Sequence, residues 1–180
     1  ARAESRRQEV ASADRFEVLP ISEALAWADV VMMLMPDEVM ADVYQHAIAP
    51  HLRPGQLLGF GHGLVIHAGW IQPASGLNVF MVAPKAQGLG VRQKFLAGSG
   101  VPGLYAVHQD PGGNTEGVAL AYAKALGCAR VGVMPTTFAE ETISDLFSEQ
   151  AVLCGGLTSL IKAAFETLVE AGFSAEVAYF

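Results

Sequence analysis

The chain has 180 residues, of which 52% are hydrophobic and 16% charged, as in a globular protein of one domain or of one domain and part of another. Its formal net charge is −7, and a short basic run at the N-terminus is the only one that stands out, so we expect no nucleic-acid partner. The longest apolar runs, such as "VVMMLM", are far shorter than the roughly 20 residues that span a bilayer, so we expect no membrane partner.

The cysteines and the first residues bear on the compartment of the protein. Cys128 and Cys154 have neither the spacing of a zinc site nor the density of a disulfide scaffold, so we interpret both as buried thiols. Reduced thiols favour a cytoplasmic location. The opening "ARAESRRQEV" has no apolar region of a targeting peptide and no initiator Met. We therefore expect the natural chain to begin earlier.

Short apolar runs alternate with helical patterns along the first three quarters of the chain. The runs predict strands, buried on both faces, at residues 28–35, 56–63, 78–85, 104–110 and 130–135. Between them, residues 36–52 predict a helix opened by Pro36, and residues 114–127 a helix closed by Gly127. Repeated strand and helix units predict an α/β fold with a Rossmann-like, doubly wound parallel sheet. Ligands bind at the carboxyl ends of the strands in such sheets.

After about residue 136 the strand signals stop, and one helical pattern runs from Glu141 to Ala171. We expect a nucleotide-binding domain at residues 1–136 and the start of an all-helical domain at 137–180. A Rossmann half normally opens with a GxGxxG phosphate loop between its first strand and helix, and none stands between the first strand and the first helix predicted here. Either the chain binds no dinucleotide, or its first strand and phosphate loop are missing, which is the more economical interpretation.

Three acids, Glu141, Asp145 and Glu149, are spaced four residues apart at the head of this helical pattern. On one helix face they repel one another by roughly 0.2–0.5 kcal/mol per pair. One interpretation is a solvated helix face. However, the following helix is apolar nearly all round, which is typical of a buried helix, and buried carboxylates must be paired, protonated or bound to a metal ion. Two hard oxygen donors without Cys or His suit Mg²⁺ better than zinc.

Six segments together resemble the ketol-acid reductoisomerases, in their short bacterial-type form. They are "ADVVMMLMPDEV", "FGHG", "MVAPK", "VPGLYAVHQD", "GVMPTTFAEETISDLFSEQAVLCGG" and "IKAAFETLVEAGFSAEVAYF". The resemblance implies an NADP-binding Rossmann-like domain followed by the start of a helical, knotted domain. It also implies an enzyme of valine and isoleucine biosynthesis. With Mg²⁺ and NADPH, such an enzyme converts 2-acetolactate or 2-aceto-2-hydroxybutyrate to 2,3-dihydroxy-3-methyl acids by alkyl migration and hydride transfer.

The resemblance assigns roles to individual residues. His62 and Lys85 match catalytic residues at two strand ends, and Asp145 and Glu149 match the first two metal-binding acids. Gly61 stands where the family more often has Ala or Ser. The further metal-binding acids of the family come from a helix after the motif "AYF", at which this chain ends. We therefore expect the 180-residue chain alone to be inactive and to bind Mg²⁺ weakly.

The cofactor residues implied by the resemblance form three groups. Arg2 and Ser5 match binders of the adenosine 2′-phosphate, and Arg7 occupies a position where the family has a hydroxyl residue. Guanidinium groups suit a phosphate dianion. The others are Asp37, Glu38, Val39 and Met40 at a helix start, and Gly88. Gly88 lies in "AQGLG", which departs from the commoner "GPGH" of the family.

Three hypotheses remain open at this level. The first is a ketol-acid reductoisomerase that works as a homodimer or higher oligomer through its helical domain. The second is a non-catalytic remnant or binding module. The third is a metal-independent dehydrogenase of the 3-hydroxyisobutyrate type, which the paired acids disfavour because that chemistry needs no Mg²⁺.

Overall fold

The computed structural model describes the backbone from residue 6 and the side chains from residue 8 to residue 180. The predicted phosphate-binding residues Arg2 and Ser5, and the side chain of Arg7, lie outside the described residues. The chain divides into two compact units, with the boundary between Glu141 and Thr142. This boundary lies inside a helix, five residues beyond the boundary expected at residue 136.

The first unit contains a five-stranded sheet with the strands in chain order. They are β1 (Val30–Met33), β2 (Leu57–Phe60), β3 (Asn78–Pro84), β4 (Gly103–Gln109) and β5 (Val133–Pro135). Each overlaps one predicted strand. The pairs β1–β2, β2–β3 and β4–β5 are parallel, but β3–β4 is antiparallel. The sheet is therefore mixed, and the expectation of an all-parallel sheet is wrong at this one pair.

The reversal at β4 has a local cause. The chain leaves β3 at Pro84, forms a helix over Gly88–Leu96 and turns back, so that Gly103 at the start of β4 pairs with Pro84. Because the chain turns back after this helix, β4 begins beside the end of β3 and runs in the opposite direction. The helix was not predicted, and a helix alone would not have revealed the reversal, because helices usually connect parallel strands.

Helices flank the strands. In the first unit and across its boundary they are α1 (Arg6–Ala13), α2 (Ile21–Trp27), α3 (Asp37–Val43), α4 (Leu64–His67), α5 (Gly88–Leu96), α6 (Thr115–Ala125) and α7 (Phe138–Phe147). The predicted helix at 36–52 is α3 followed by a π-helical turn, Tyr44–Ile48, and a 3₁₀ turn, Ala49–His51. The predicted helix at 114–127 is α6, which ends before Gly127 with a positive φ of 91°.

Two apolar layers cover the two faces of β2 and β3. Leu58, Phe60 and Val79 belong to one core cluster, whereas Phe80 and Val82 belong to the other, as strand alternation requires. Burial on both faces does not extend to the outer strands, where Val30 and Met134 are 38% and 59% exposed. The expectation of full burial is wrong for β1 and β5 because, among the described residues, each has a neighbouring strand on one side alone. It is also wrong for the second half of β4, where Val107 is 38% exposed.

The second unit is helical throughout and contains no strand. After α7 the chain forms a π-helix, Ser148–Leu153, and then α8 (Gly156–Glu170) and α9 (Ala175–Tyr179). The predicted single helix is therefore interrupted near residue 154. A Cβ on Gly155 or Gly156 would lie only 2.0 Å from the Gln150 carbonyl oxygen or 2.1 Å from that of Ala151, so the break depends on these two glycines.

The apolar surface of α8 is exposed in this chain. Leu157, Leu160 and Ile161 are 50%, 68% and 61% exposed, so the expectation of a buried helix is wrong for the 180 residues by themselves. Cys154 is exposed as well, contrary to the expected buried thiol, because it lies in the same uncovered segment. By length and composition alone, the helical stretch Phe138–Glu170 could cross a membrane. A helix that packs in the core of a soluble protein has the same length and composition.

Candidate active site

Two of the predicted catalytic residues lie side by side at one edge of the sheet. His62 follows β2 in the short loop before α4, and Lys85 directly follows β3. These strands are parallel neighbours, with Phe60 opposite Met81. Their carboxyl ends therefore meet at the same edge, where ligands of doubly wound folds bind. The side chains of His62 and Lys85 are only 23% and 30% exposed.

A buried carboxylate joins these two residues. Glu141 is 1% exposed, and its Oε1 lies 2.7 Å from Nζ of Lys85. Nδ1 of His62 lies 2.9 Å from Oε2 and 3.1 Å from Oε1. The backbone N–H of Gly63 donates to Oε2 at 2.9 Å. Glu141 is thus surrounded by donors from both strand ends.

The electrostatics of this cluster keep Glu141 ionised. Burial alone raises the pKa of a carboxyl group, but the hydrogen bonds from His62, Lys85 and the Gly63 amide outweigh it and hold the pKa of Glu141 below its ordinary value of 4.5. An anionic acceptor at Nδ1 of His62 favours the proton on that nitrogen. In the neutral ring, Nε2 is then the nitrogen that can accept a proton.

The first turn of α7 presents Glu141 to the strand ends. Thr137 caps the helix, since its Oγ1 accepts the N–H of Glu140 at 3.0 Å. The Thr136 hydroxyl in turn donates to the Glu140 carboxylate at 2.9 Å. The sequence "TFAE" has the spacing of a capping box, which fixes the first turn of a helix.

Glu141 was not predicted to belong to this cluster. It appeared only as the first acid of a stripe with Asp145 and Glu149. The signal that separates it from the other two is its place in the first turn of the helix, directly after the last strand. The contact with residues 56 and 79 positions earlier has no local signature in the sequence.

Five of the predicted cofactor residues lie at two helix starts after strands. Asp37, Glu38 and Val39 open α3, which follows β1, and Gly88 opens α5, which follows β3. Amides at a helix start can hydrogen-bond an anionic ligand. Met40 differs from its neighbours because it is 5% exposed and packs in the core. Any contact of Met40 with a cofactor must therefore be a backbone contact.

The predicted metal ligands lie in the second unit. Asp145 is half-buried on α7, one helical turn after Glu141, and Glu149 is exposed in the π-helix Ser148–Leu153. The helix changes from α to π between these two acids, so their relative direction differs from that of an ordinary i, i+4 pair. Carboxylate oxygens fit the ligand preference of Mg²⁺, which keeps water in its remaining positions.

Comparisons with known proteins agree with this geometry. Residues 1–132 match the family described as "Acetohydroxy acid isomeroreductase, NADPH-binding domain", and residues 138–180 match "Ketol-acid reductoisomerase, C-terminal domain". The ketol-acid reductoisomerase (NADP(+)) of Petrotoga mobilis is 56% identical over 177 residues. That match covers 98% of this chain and 54% of the relative.

Solved structures give the same result for the fold. An NADH-preferring ketol-acid reductoisomerase from an uncultured archaeon superposes with a TM-score of 0.91 at 49% identity, over 96% of this chain and 52% of that one. A semialdehyde dehydrogenase NAD-binding protein from Cupriavidus necator superposes with a TM-score of 0.75 at 20% identity. That match covers 98% of this chain and 66% of the other. At this low identity it supports the fold alone.

The extent of these matches shows the family of the chain and how much of the length of its relatives the chain spans. The chain spans about half the length of the reductoisomerases that it matches. Within that span the two family descriptions together cover β1 to β4 and the helical segment from residue 138 onward. The chain belongs to the ketol-acid reductoisomerase family.

Proposed function

We propose that the full-length protein is an NADPH- and Mg²⁺-dependent ketol-acid reductoisomerase of branched-chain amino-acid biosynthesis. It acts on 2-acetolactate or 2-aceto-2-hydroxybutyrate. The observation that carries the proposal is the pairing of His62 and Lys85 by the buried carboxylate of Glu141. This arrangement supports the proposal, because a lysine and a histidine lie together at the edge of the sheet where ligands of such folds bind.

The reaction has two parts that need these groups. An alkyl group migrates from the hydroxyl-bearing carbon of the substrate to the neighbouring carbonyl carbon, so that the hydroxyl becomes a carbonyl and the carbonyl a hydroxyl. A hydride from NADPH and a proton then reduce the new carbonyl. Both parts move protons on oxygen and develop negative charge there. Positioned donors stabilise such charge.

We assign different roles to the two paired residues. Lys85 is held 2.7 Å from Glu141, so its ammonium group is oriented before substrate arrives and hydrogen-bonds the substrate oxygens. His62 takes or returns a proton at Nε2 while Nδ1 is bound to Glu141. Asp145 and Glu149 hold Mg²⁺, which supplies Lewis-acid polarisation of the substrate oxygens when it is bound.

We infer that the cofactor is NADPH, bound by the amides and side chains at the starts of α3 and α5. These comprise Asp37, Glu38, Val39, the Met40 backbone and Gly88. Of the two similar enzymes, one is described as a ketol-acid reductoisomerase (NADP(+)) and the other as NADH-preferring. Arg2, Ser5 and Arg7 favour NADPH in this chain, because two guanidinium groups complement a 2′-phosphate dianion.

The remaining assignments follow from the same family. We place residues 1–136 in the NADP-binding domain and residues 137–180 at the start of the helical domain. The exposed apolar residues of α8 support a homodimer or higher oligomer formed through that domain. We further infer a cytoplasmic enzyme with neither a membrane nor a nucleic-acid partner.

A second candidate function concerns the 180 residues by themselves. The matches cover about half of each relative, and α8 is uncovered, so a non-catalytic module is the alternative for this polypeptide alone. The metal-independent dehydrogenase of the 3-hydroxyisobutyrate type is disfavoured, because its chemistry has no use for the two acids on the second unit.

The test is turnover of 2-acetolactate by the full-length protein, followed by NADPH absorbance and by NMR of the product. We expect turnover that requires Mg²⁺ and that falls by about 100-fold or more in His62→Gln, as for loss of a proton-transfer group. His67→Gln is the matched control, since His67 is exposed at the end of α4. Full activity of His62→Gln, or turnover without Mg²⁺, would contradict the proposal.

A further inference from the structure

Phe138 begins α7 and packs its ring directly on the strand that leads to His62. The ring is edge-on to that of Phe60, with centroids 6.3 Å apart and planes at 78°. Phe60 ends β2, two residues before His62. The two elements that bring Glu141 to His62 are therefore also joined by an aromatic pair.

A second ring contact fixes Phe138 from another strand. The ring of Phe138 lies 5.5 Å from that of His108, at an angle of 65°. His108 belongs to β4 and Phe60 to β2, which flank β3 on its two sides. Lys85 directly follows β3. Phe138 thus contacts the strands on both sides of the one that ends at Lys85.

The position of Phe138 on the helix couples it to Glu141. Residues three apart on a helix are surface neighbours, so the Phe138 ring and the Glu141 carboxylate project from one side of the first turn. Phe138 is 6% exposed and packs in the larger core cluster. A close-packed ring cannot shift without moving the turn that bears it.

We propose that Phe138 is a positioning residue, whose ring on Phe60 seats the first turn of α7 so that the Glu141 carboxylate meets His62 and Lys85. The expected loss of kcat rests on the proposed function. The effect on the position of the Glu141 carboxylate rests on the geometry alone. The Thr137 cap has a different role. It satisfies the Glu140 amide within the turn, and so shapes the turn, whereas Phe138 fixes the turn against the sheet.

The experiment compares Phe138→Leu with a matched aromatic pair elsewhere in the first unit. Tyr122 is edge-on to Phe80, also at 6.3 Å, and belongs with Phe80 to the other core cluster. In the full-length protein we expect Phe138→Leu to lower kcat by about 10- to 100-fold, since small misplacements of catalytic groups have such effects. The dissociation constant of NADPH should stay within about twofold of the wild-type value. Tyr122→Leu should leave kcat within about twofold, and an equal loss in both variants would overturn the proposal.

A double-variant cycle separates positioning from general packing. If Phe138 acts through Glu141, Phe138→Leu should change kcat by less than about twofold when Glu141→Gln is already present. If the two losses multiply, Phe138 acts independently and the proposal is wrong. Phe138→Met is measured in parallel, because its flexible side chain fills the site better should Phe138→Leu not fold.

A measurement without turnover distinguishes this proposal from the proposed function. The ¹⁵N resonance of Nδ1 in His62 reports its hydrogen bond to Glu141. We expect Phe138→Leu, or Phe138→Met if that variant alone folds, to move this resonance toward its position in Glu141→Gln, and Tyr122→Leu to leave it in place. An unmoved resonance in the Phe138 variant overturns the positioning role, whereas a wild-type protein that shows the bond but no turnover contradicts only the proposed function.

Discussion

Nζ of Lys85 lies 2.7 Å from Oε1 of Glu141, although 56 positions separate the two residues in the sequence. The carboxylate is almost fully buried, whereas the ammonium group reaches it from the end of β3 and stays partly exposed. Because Glu141 binds the Lys85 ammonium group from the protein side, the exposed side of that group can contact an anionic substrate. Glu141 is accordingly the residue on which the arrangement of the site depends.

Replacing Glu141 by Gln should destabilise the first unit. The neutral amide would leave Lys85, His62 and the Gly63 amide without their anionic acceptor, at a cost of about 1–3 kcal/mol in the free energy of unfolding. Urea denaturation at neutral pH measures this change. Glu140→Gln is the control, since Glu140 is exposed and Gln can still accept from Thr136, so a loss below about 0.5 kcal/mol is expected there. Equal stability of the wild type and Glu141→Gln would show that the cluster contributes nothing.

The stabilisation by Glu141 should disappear in acid. Its pKa in the folded protein is held below the ordinary value of 4.5, so the contribution is complete above that value and is lost as the pH falls through the lower, folded pKa. The difference in free energy of unfolding between the wild type and Glu141→Gln should therefore shrink from about pH 5.5 to about pH 3. Denaturation in the presence of a chelator measures it. A difference that stays constant or grows toward acid would mean that Glu141 is already protonated when folded.

Asp145→Asn should abolish alkyl migration and leave cofactor binding nearly unchanged in the full-length protein. The substitution removes one of the two carboxylates assigned to Mg²⁺, while the residues assigned to NADPH lie at the starts of α3 and α5 in the first unit. Product NMR and NADPH fluorescence titration measure the two effects. Glu166→Gln is the control, because Glu166 is an exposed acid of α8 paired only loosely with Lys162 at 3.7 Å. Full turnover by Asp145→Asn would show that Asp145 is not a metal ligand and belongs to a solvated helix face.

Cofactor preference should depend on the basic residues at the start of the chain. Each charge-assisted contact to the 2′-phosphate is worth roughly 1.5–3 kcal/mol, so removing Arg2 or Arg7 should weaken NADPH binding by about tenfold or more. The affinity for NADH should hardly change. Isothermal titration of Arg2→Ala and Arg7→Ala with both cofactors tests this, with the exposed Arg92→Ala on α5 as control. Equal affinities of the wild type for NADPH and NADH would refute the preference.

The exposed apolar face of α8 should mediate self-association. Leu160 and Ile161 are 68% and 61% exposed, which is unusual for large apolar residues on one helix of a soluble protein. Leu160→Asp should therefore shift the full-length protein toward monomer in sedimentation velocity experiments. Leu96→Asp makes the same substitution at a residue of α5 that is 66% exposed and lies outside the second unit, and it should leave the sedimentation coefficient unchanged. An unaltered oligomer in Leu160→Asp would assign the contact to another surface.

Much of the fold is encoded in local sequence patterns and could be predicted from them. The five strands are short apolar runs, and α3 and α6 have recognisable starts and ends. The antiparallel direction of β4 could not be predicted, because it depends on where the chain returns after α5 and not on the composition of the strand. Likewise, Gly155 and Gly156 break the long helix through a close backbone approach that helical periodicity does not report.

The candidate site, too, could be predicted only in part. His62 and Lys85 follow apolar runs, so their place at strand ends could be predicted from the sequence alone. Glu141 could not be joined to them, because its contacts are set by how α7 packs on the sheet. The expected burial of α8 was wrong for a related reason. Apolar composition indicates that a helix prefers burial, but it does not state whether the covering surface lies within these 180 residues.

The sequence distance between Glu141 and its partners also has a consequence for biosynthesis. Its donors precede it by 56 to 79 positions, and closing such loops costs conformational entropy that grows with their length. A nascent chain emerges from the ribosome amino end first, so β1 to β4 can pair before Glu141 has been synthesised. During that interval His62 and Lys85 have no anion from α7. The cluster of Glu141, His62 and Lys85 is thus completed only after α7 has been synthesised and its first turn has docked.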